Sequence, residues 1–203
     1  MTRPLLLIDV DGPLNPYAAP DTRRPEGYDT HRMLPASWVA RQTAERGGGR
    51  ITPLRVWLNP LHGPELLALP YELVWATTWM DEANTFIGPN IGLPELPYIR
   101  WTEVFRPDPD GLHWKTRDLV AWADGRPFVW LDDELGPQDI EWIAANHPAP
   151  ALLLWVDPRF GLRELHFAAL REWAEDESVE GESVADERDE QYGQARGGRV
   201  EGE

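Results

Sequence analysis

The chain has 203 residues, a formal net charge of −16, 11 tryptophans and no cysteine, and 42% of it is hydrophobic. That length suggests one domain with an appended segment, and the apolar share is enough for a substantial core. The composition excludes disulfides and thiolate metal sites and fits a reducing, cytoplasmic setting. With no polybasic stretch it argues against tight binding of duplex nucleic acid, and the apolar run near the N-terminus is too short for a signal h-region or a membrane span.

The charge is unevenly spread. Glu172 to Glu203 carries 12 acids and 3 arginines, a net of −9, which leaves a body of −7. The division predicts a domain over 1–174 and an acidic, disordered tail over 175–203.

Leu5–Ile8 is a run of branched apolar residues between Pro4 and Gly12-Pro13, the pattern of a fully buried parallel strand. It ends in Asp9 and Asp11. Side chains alternate along a strand, so the two acids share one side while Val10 points into the core. Residues 13–58 are rich in Pro, Gly and Arg and read as an irregular flap, with extended pieces at Tyr28–Leu34 and Trp38–Ala40. Gly47-Gly48-Gly49 lacks the Lys-Ser/Thr of a phosphate loop and reads as a hairpin tip or link. Val56–Leu58 is either the last extended piece of the flap or the start of the following helix.

Beyond the flap, Pro64–Leu69 predicts a short helix, Tyr71–Thr78 a second buried strand, and Asp81–Ile87 a helix closed by Gly88-Pro89-Asn90. Tyr98–Val104 alternates like an edge strand. His113–Ala123 predicts a helix with Lys115 in its first turn. Pro127–Leu131 is a third buried strand ending in Asp132-Asp133. Gln138–Asn146 predicts a helix, Ala151–Val156 a fourth strand, and Leu162–Ala174 a last helix. Strands alternating with helices imply right-handed crossovers and a parallel sheet covered on both faces.

In such a sheet the carboxyl ends of all strands lie on one edge, where ligands bind. Asp9/Asp11, Thr77/Thr78 and Asp132/Asp133 therefore converge, with Lys115 near them. Each feature alone has a plain structural explanation: a turn acid, a β-branched strand residue, a solvated lysine, a helix cap. Clustered carboxylates repel unless a cation or proton joins them, and a hard ion such as Mg²⁺ with a phosphate suits them. The five histidines have no ligand spacing, and no GxSxG or GxGxxG motif occurs.

In this order the residues resemble the haloacid dehalogenase superfamily of phosphotransferases. The matching motifs are Leu5–Gly12 as hhhhDxDG, Val74–Thr77 as hhhT, Lys115, and Val129–Asp133 as hhhDD. Trp75–Trp79 with Asn84, and Asp157–Leu162, are further similar to a bacterial branch related to the phosphatase domains of RNA repair proteins. The resemblance implies an α/β, Rossmann-like three-layer sandwich with a central parallel sheet, carrying a flap after the first strand but no large cap.

The resemblance also implies roles: Asp9 as nucleophile and Asp11 as general acid and base. Thr77, preferred to Thr78 because it directly follows the apolar run, would hold the phosphate with Lys115 and Gly12, and Asp9, Asp11 (through its carbonyl), Asp132 and Asp133 would bind Mg²⁺. The activity implied is a Mg²⁺-dependent phosphatase acting on an accessible phosphate, on a nucleic-acid end or a small metabolite, with Arg23, Arg24, Tyr28, Arg32 and Trp38 of the flap as candidate substrate contacts. Pro13 departs from the common motif and removes a backbone N–H there. The alternative is a catalytically weak module that binds phosphate or a partner.

Overall fold

The fold is that of a computed structural model, which describes residues 3–20, 22–46 and 49–176. Four parallel strands, β1 (Leu5–Ile8), β4 (Glu72–Trp75), β5 (Phe128–Asp132) and β6 (Ala151–Trp155), form a sheet in the order β4-β1-β5-β6. Leu7 of β1 is level with Val74 of β4 and with Trp130 of β5, so the central strand is paired along both sides. β1 is completely buried, which is why its sequence is a continuous apolar run rather than an alternating one.

Alternate residues of these strands feed two cores. Leu6, Ile8, Trp75, Val129 and Leu131 pack under α2 (His62–Leu67), α3 (Glu82–Phe86), α4 (Gly88–Ile91) and α7 (164–176). Leu5, Leu7, Val74, Phe128 and Trp130 pack under α5 (Thr116–Ala123) and α6 (Pro137–Asn146). The result is a helix–sheet–helix sandwich in the Rossmann-like manner. Truncating a residue such as Leu7 to Ala would open a void in it and cost about 2–5 kcal/mol.

The flap after β1 differs from the irregular excursion expected. It is an antiparallel pair, β2 (Asp29–Met33) with β3 (Leu54–Leu58), and between them runs α1 (Ala36–Arg46), 11 residues long. Trp38–Ala40 is therefore helical, not extended, while Val56–Leu58 belongs to a strand. α1 buries little apolar surface. It is held instead by polar pins: the amide of Gln42 exchanges hydrogen bonds with the Thr52 backbone, and the Trp38 indole donates to Thr52 O at 2.8 Å.

Three other expectations change. Of Tyr98–Val104, only Tyr98 pairs with the sheet, as an isolated bridge to Trp75, and the stretch otherwise runs as a loop along the β4 edge. Gly88-Pro89-Asn90 does not simply end a helix but forms α4, which closes at Gly92 with φ 78°. β4 stops at Trp75, so Thr77 and Thr78 lie beyond the strand. The last helix runs through Asp176; the acidic tail after it, and Gly47-Gly48, lie outside the described residues.

Candidate active site

The chain leaves β1 in a tight turn: Leu14 and Asn15 both donate their N–H to Val10 O, at 3.0 and 2.8 Å. Val10 is sealed in the core while Asp9 and Asp11 both line a cleft of about 730 Å³, the arrangement their spacing predicts. Gly12 makes the turn possible with φ 93°. A Cβ at this position would lie 2.5 Å from Asp133 Cγ, so the glycine also lets the β5 loop close against the β1 loop. Its contribution here is steric.

Lys115 comes to the same place from the start of α5. Its Nζ stands 3.0 Å from Asp9 Oδ2 and 2.7 Å from Asp132 Oδ2, with all three side chains buried. Burial alone would lower the ammonium, but Asp9 and Asp132 outweigh it and hold Lys115 protonated, above the ordinary lysine range. Burial pushes the Asp9 carboxyl up, opposed by Lys115 and reinforced by Asp132 and Asp11. One ammonium thus does not fully compensate the acids gathered here.

Asp139 positions this lysine, and the sequence had not marked it. One of its oxygens accepts from Thr116 Oγ1 at 2.6 Å and from the His113 N–H at 2.8 Å; the other accepts from the Gly136 N–H at 3.0 Å. A single buried carboxylate so ties the first turn of α6 to the residues on either side of Lys115.

Asp132 is fixed by the Trp130 indole on one oxygen and the Glu134 N–H on the other, at 3.1 and 3.0 Å. Asp133 takes a hydrogen bond at 2.9 Å from Tyr17 Oη, which reaches over from the flap root. Burial pushes the Asp133 carboxyl up to about 6, with Tyr17 opposing. Asp9, Asp132 and Asp133 each offer an oxygen within 4.8 Å of the others. An all-oxygen, anionic donor set that burial leaves short of positive charge fits a hard divalent cation. The Asp11 carboxylate stands apart from that group, held by Asn15 Nδ2 at 2.8 Å and Trp79 Nε1 at 2.9 Å.

The two threonines divide. Thr77 is fully buried; its hydroxyl faces the Trp79 N–H at 3.4 Å and its carbonyl accepts the Trp101 indole. Thr78, and not the Thr77 that the sequence favoured, lines the cleft, because the strand ends at Trp75 and the register beyond it is set by the turn. Of the five flap residues expected at a substrate, only Trp38 lines the cleft; Tyr28 is buried and bonds Phe160 O, and Arg23, Arg24 and Arg32 do not line it, although Arg32 pairs across the strands with Arg55. The flap contributes Arg41 and Arg55 instead. Asp157–Leu162 anchors the flap root: Leu162 N–H donates to Pro13 O at 2.8 Å and Ala18 N–H to Pro158 O at 3.1 Å. Pro13, though lacking a donor, is used through its carbonyl.

Compared with protein-family models, with curated proteins and with solved structures, the chain matches none. Among the described residues no helix is long and apolar enough to cross a membrane.

Proposed function

We propose that the protein is a Mg²⁺-dependent phosphomonoester hydrolase of the haloacid dehalogenase type. The observation that carries this reading is the meeting of Asp9, Lys115, Asp132 and Asp133 at the carboxyl edge of the sheet. Phosphoryl transfer asks a protein mainly for alignment and for charge that offsets the incoming phosphate, and this cluster is suited to both.

In the first step an Asp9 oxygen bonds to phosphorus, the ester O–P bond breaks, and Asp11 passes a proton to the departing alcohol oxygen. In the second, Asp11 takes a proton from water, the water oxygen attacks the aspartyl-phosphate, and phosphate leaves with Asp9 restored. Lys115 restrains Asp9 and offsets charge on the phosphoryl oxygens, and Thr78, which lines the cleft, would donate its hydroxyl to one of them. Asp9, Asp132 and Asp133 would hold Mg²⁺, which supplies further neutralisation of the ester.

A second reading, a weakly catalytic module that binds phosphate or a partner, has one observation in its favour: the nucleophile's oxygen is already paired with Lys115. The experiment that separates the two is phosphate release from p-nitrophenyl phosphate and from 3′- and 5′-phosphorylated oligonucleotides, with Mg²⁺ or EDTA, for wild type and Asp9→Asn. Release that needs the metal and is abolished by Asp9→Asn supports the hydrolase. No release from a folded protein that still binds Mg²⁺ supports the module.

A further inference from the structure

The carboxylates and Lys115 occupy one part of the cleft, and a chain of aromatic rings leads away from them. The Trp114 ring lies 5.6 Å from Lys115 Nζ, and the Phe105 ring lies 5.3 Å from that of Trp114. Both aromatic residues line the cleft. Phe105 is 67% exposed and sits at φ 59°, in the left-handed region that a bulky side chain rarely adopts. Burial does not repay that conformation, so the ring is held out at the cleft for another reason, and strain of this kind is a pointer to function. From the flap, Trp38 and Arg41 line the same cleft, with the guanidinium 5.3 Å from the indole centroid.

We propose that the ester this cleft takes is the phosphate of a single nucleoside, its phosphate at Asp9 and Lys115 and its base stacked against Phe105. The proposal rests on the phosphatase reading and names its substrate class. An aryl phosphate carries its ring directly on the ester oxygen, two bonds from phosphorus, which sets it beside Trp114 and leaves Phe105 unused. A sugar between phosphate and base carries the ring further from phosphorus, past Trp114 towards Phe105. The cleft volume of about 730 Å³ is that of a small-molecule site. Arg41 and Arg55 line the cleft, but so do Asp11, Asp133 and Glu134, which repel the next phosphates of a longer strand.

The test is steady-state kinetics of the full chain on nucleoside 5′- and 3′-monophosphates, ribose 5-phosphate and a 5′-phosphorylated single-stranded oligonucleotide, for wild type and Phe105→Ala. Base–aromatic stacking predicts a nucleotide KM roughly tenfold below that of ribose 5-phosphate, with the ratio falling towards one in Phe105→Ala. Equal KM values in wild type, or a ratio that survives the substitution, overturn the proposal. An oligonucleotide KM far below that of the mononucleotide overturns its single-nucleoside part in favour of a polymer end. If no ester is hydrolysed, the phosphatase reading fails, and AMP quenching of tryptophan fluorescence decides the stacking separately. Saturable quenching by AMP, absent with ribose 5-phosphate and weakened roughly tenfold in Phe105→Ala, supports the stacked base, and its absence overturns it.

Discussion

The indole N–H of Trp79 donates to Asp11 Oδ2 at 2.9 Å, joining the loop after β4 to the loop after β1 across 68 residues of sequence. With Asn15 on the other oxygen, it leaves the Asp11 carboxylate only small freedom to turn. Trp79→Phe keeps the buried ring and removes the donor. If Asp11 delivers the proton, kcat falls by roughly tenfold to a hundredfold for an ester of a poor leaving alcohol, and less for p-nitrophenyl phosphate. Equal losses on both substrates would show that Trp79 serves packing alone.

Gly12 admits the Asp133 side chain to a position that any Cβ would contest. Gly12→Ala therefore displaces Asp133, a proposed cation ligand, and strains a residue at φ 93°, by about 1–3 kcal/mol. The expected outcome is an apparent Mg²⁺ affinity at least roughly tenfold weaker, by analogy with loss of a ligand's supporting contacts. Titrating Mg²⁺ against the melting temperature of both proteins measures it.

Lys115 is the only cation with a carboxylate partner on both Asp9 and Asp132 among the described residues. Lys115→Met preserves the length of the stem but leaves buried acids facing one another. Breaking a buried pair from one side costs about 3–5 kcal/mol, so urea unfolding should shift by that order without metal. Added Mg²⁺ should recover part of the loss, because it restores positive charge to the same oxygens.

His62 is packed between Tyr28 and Phe167, with ring centroids at 5.6 and 5.9 Å, and burial pushes it down to about 4. The unfolded chain takes up this proton near the ordinary histidine value of about 6.5 and the folded chain only near 4, so stability present above pH 6.5 is lost as pH falls through that window. His166, also lowered by burial, acts in the same direction. The contribution of His62 amounts to at most about 3 kcal/mol. Melting temperature against pH should fall less steeply between 6.5 and 4 in His62→Phe than in wild type.

The four sheet strands were legible because strands buried on both faces are continuous apolar runs, and their polar ends named Asp9, Asp11, Asp132 and Asp133. Lys115 followed from its place at the start of a periodic helix. α1 was not legible, because a helix pinned through Gln42 and Trp38 to the Thr52 backbone carries no apolar stripe. Tyr98–Trp101 alternates in burial as a strand would, yet the cause is a loop lying on the sheet edge with the Trp101 indole on Thr77 O. Tyr17 could not be paired with Asp133 by any local pattern, since 116 residues separate them. Asp139 looked like an ordinary first-turn acid, and only the packing of α6 on α5 reveals the hold it has on Lys115's neighbours.

The central claim is that Asp9 becomes phosphorylated, and the most direct measurement is mass spectrometry of the protein acid-quenched during turnover of p-nitrophenyl phosphate with Mg²⁺. The account predicts one added phosphoryl group, on the peptide containing Asp9, absent with EDTA and absent in Asp9→Asn. Steady release of phosphate with no such adduct, or an adduct that persists in Asp9→Asn, would contradict it.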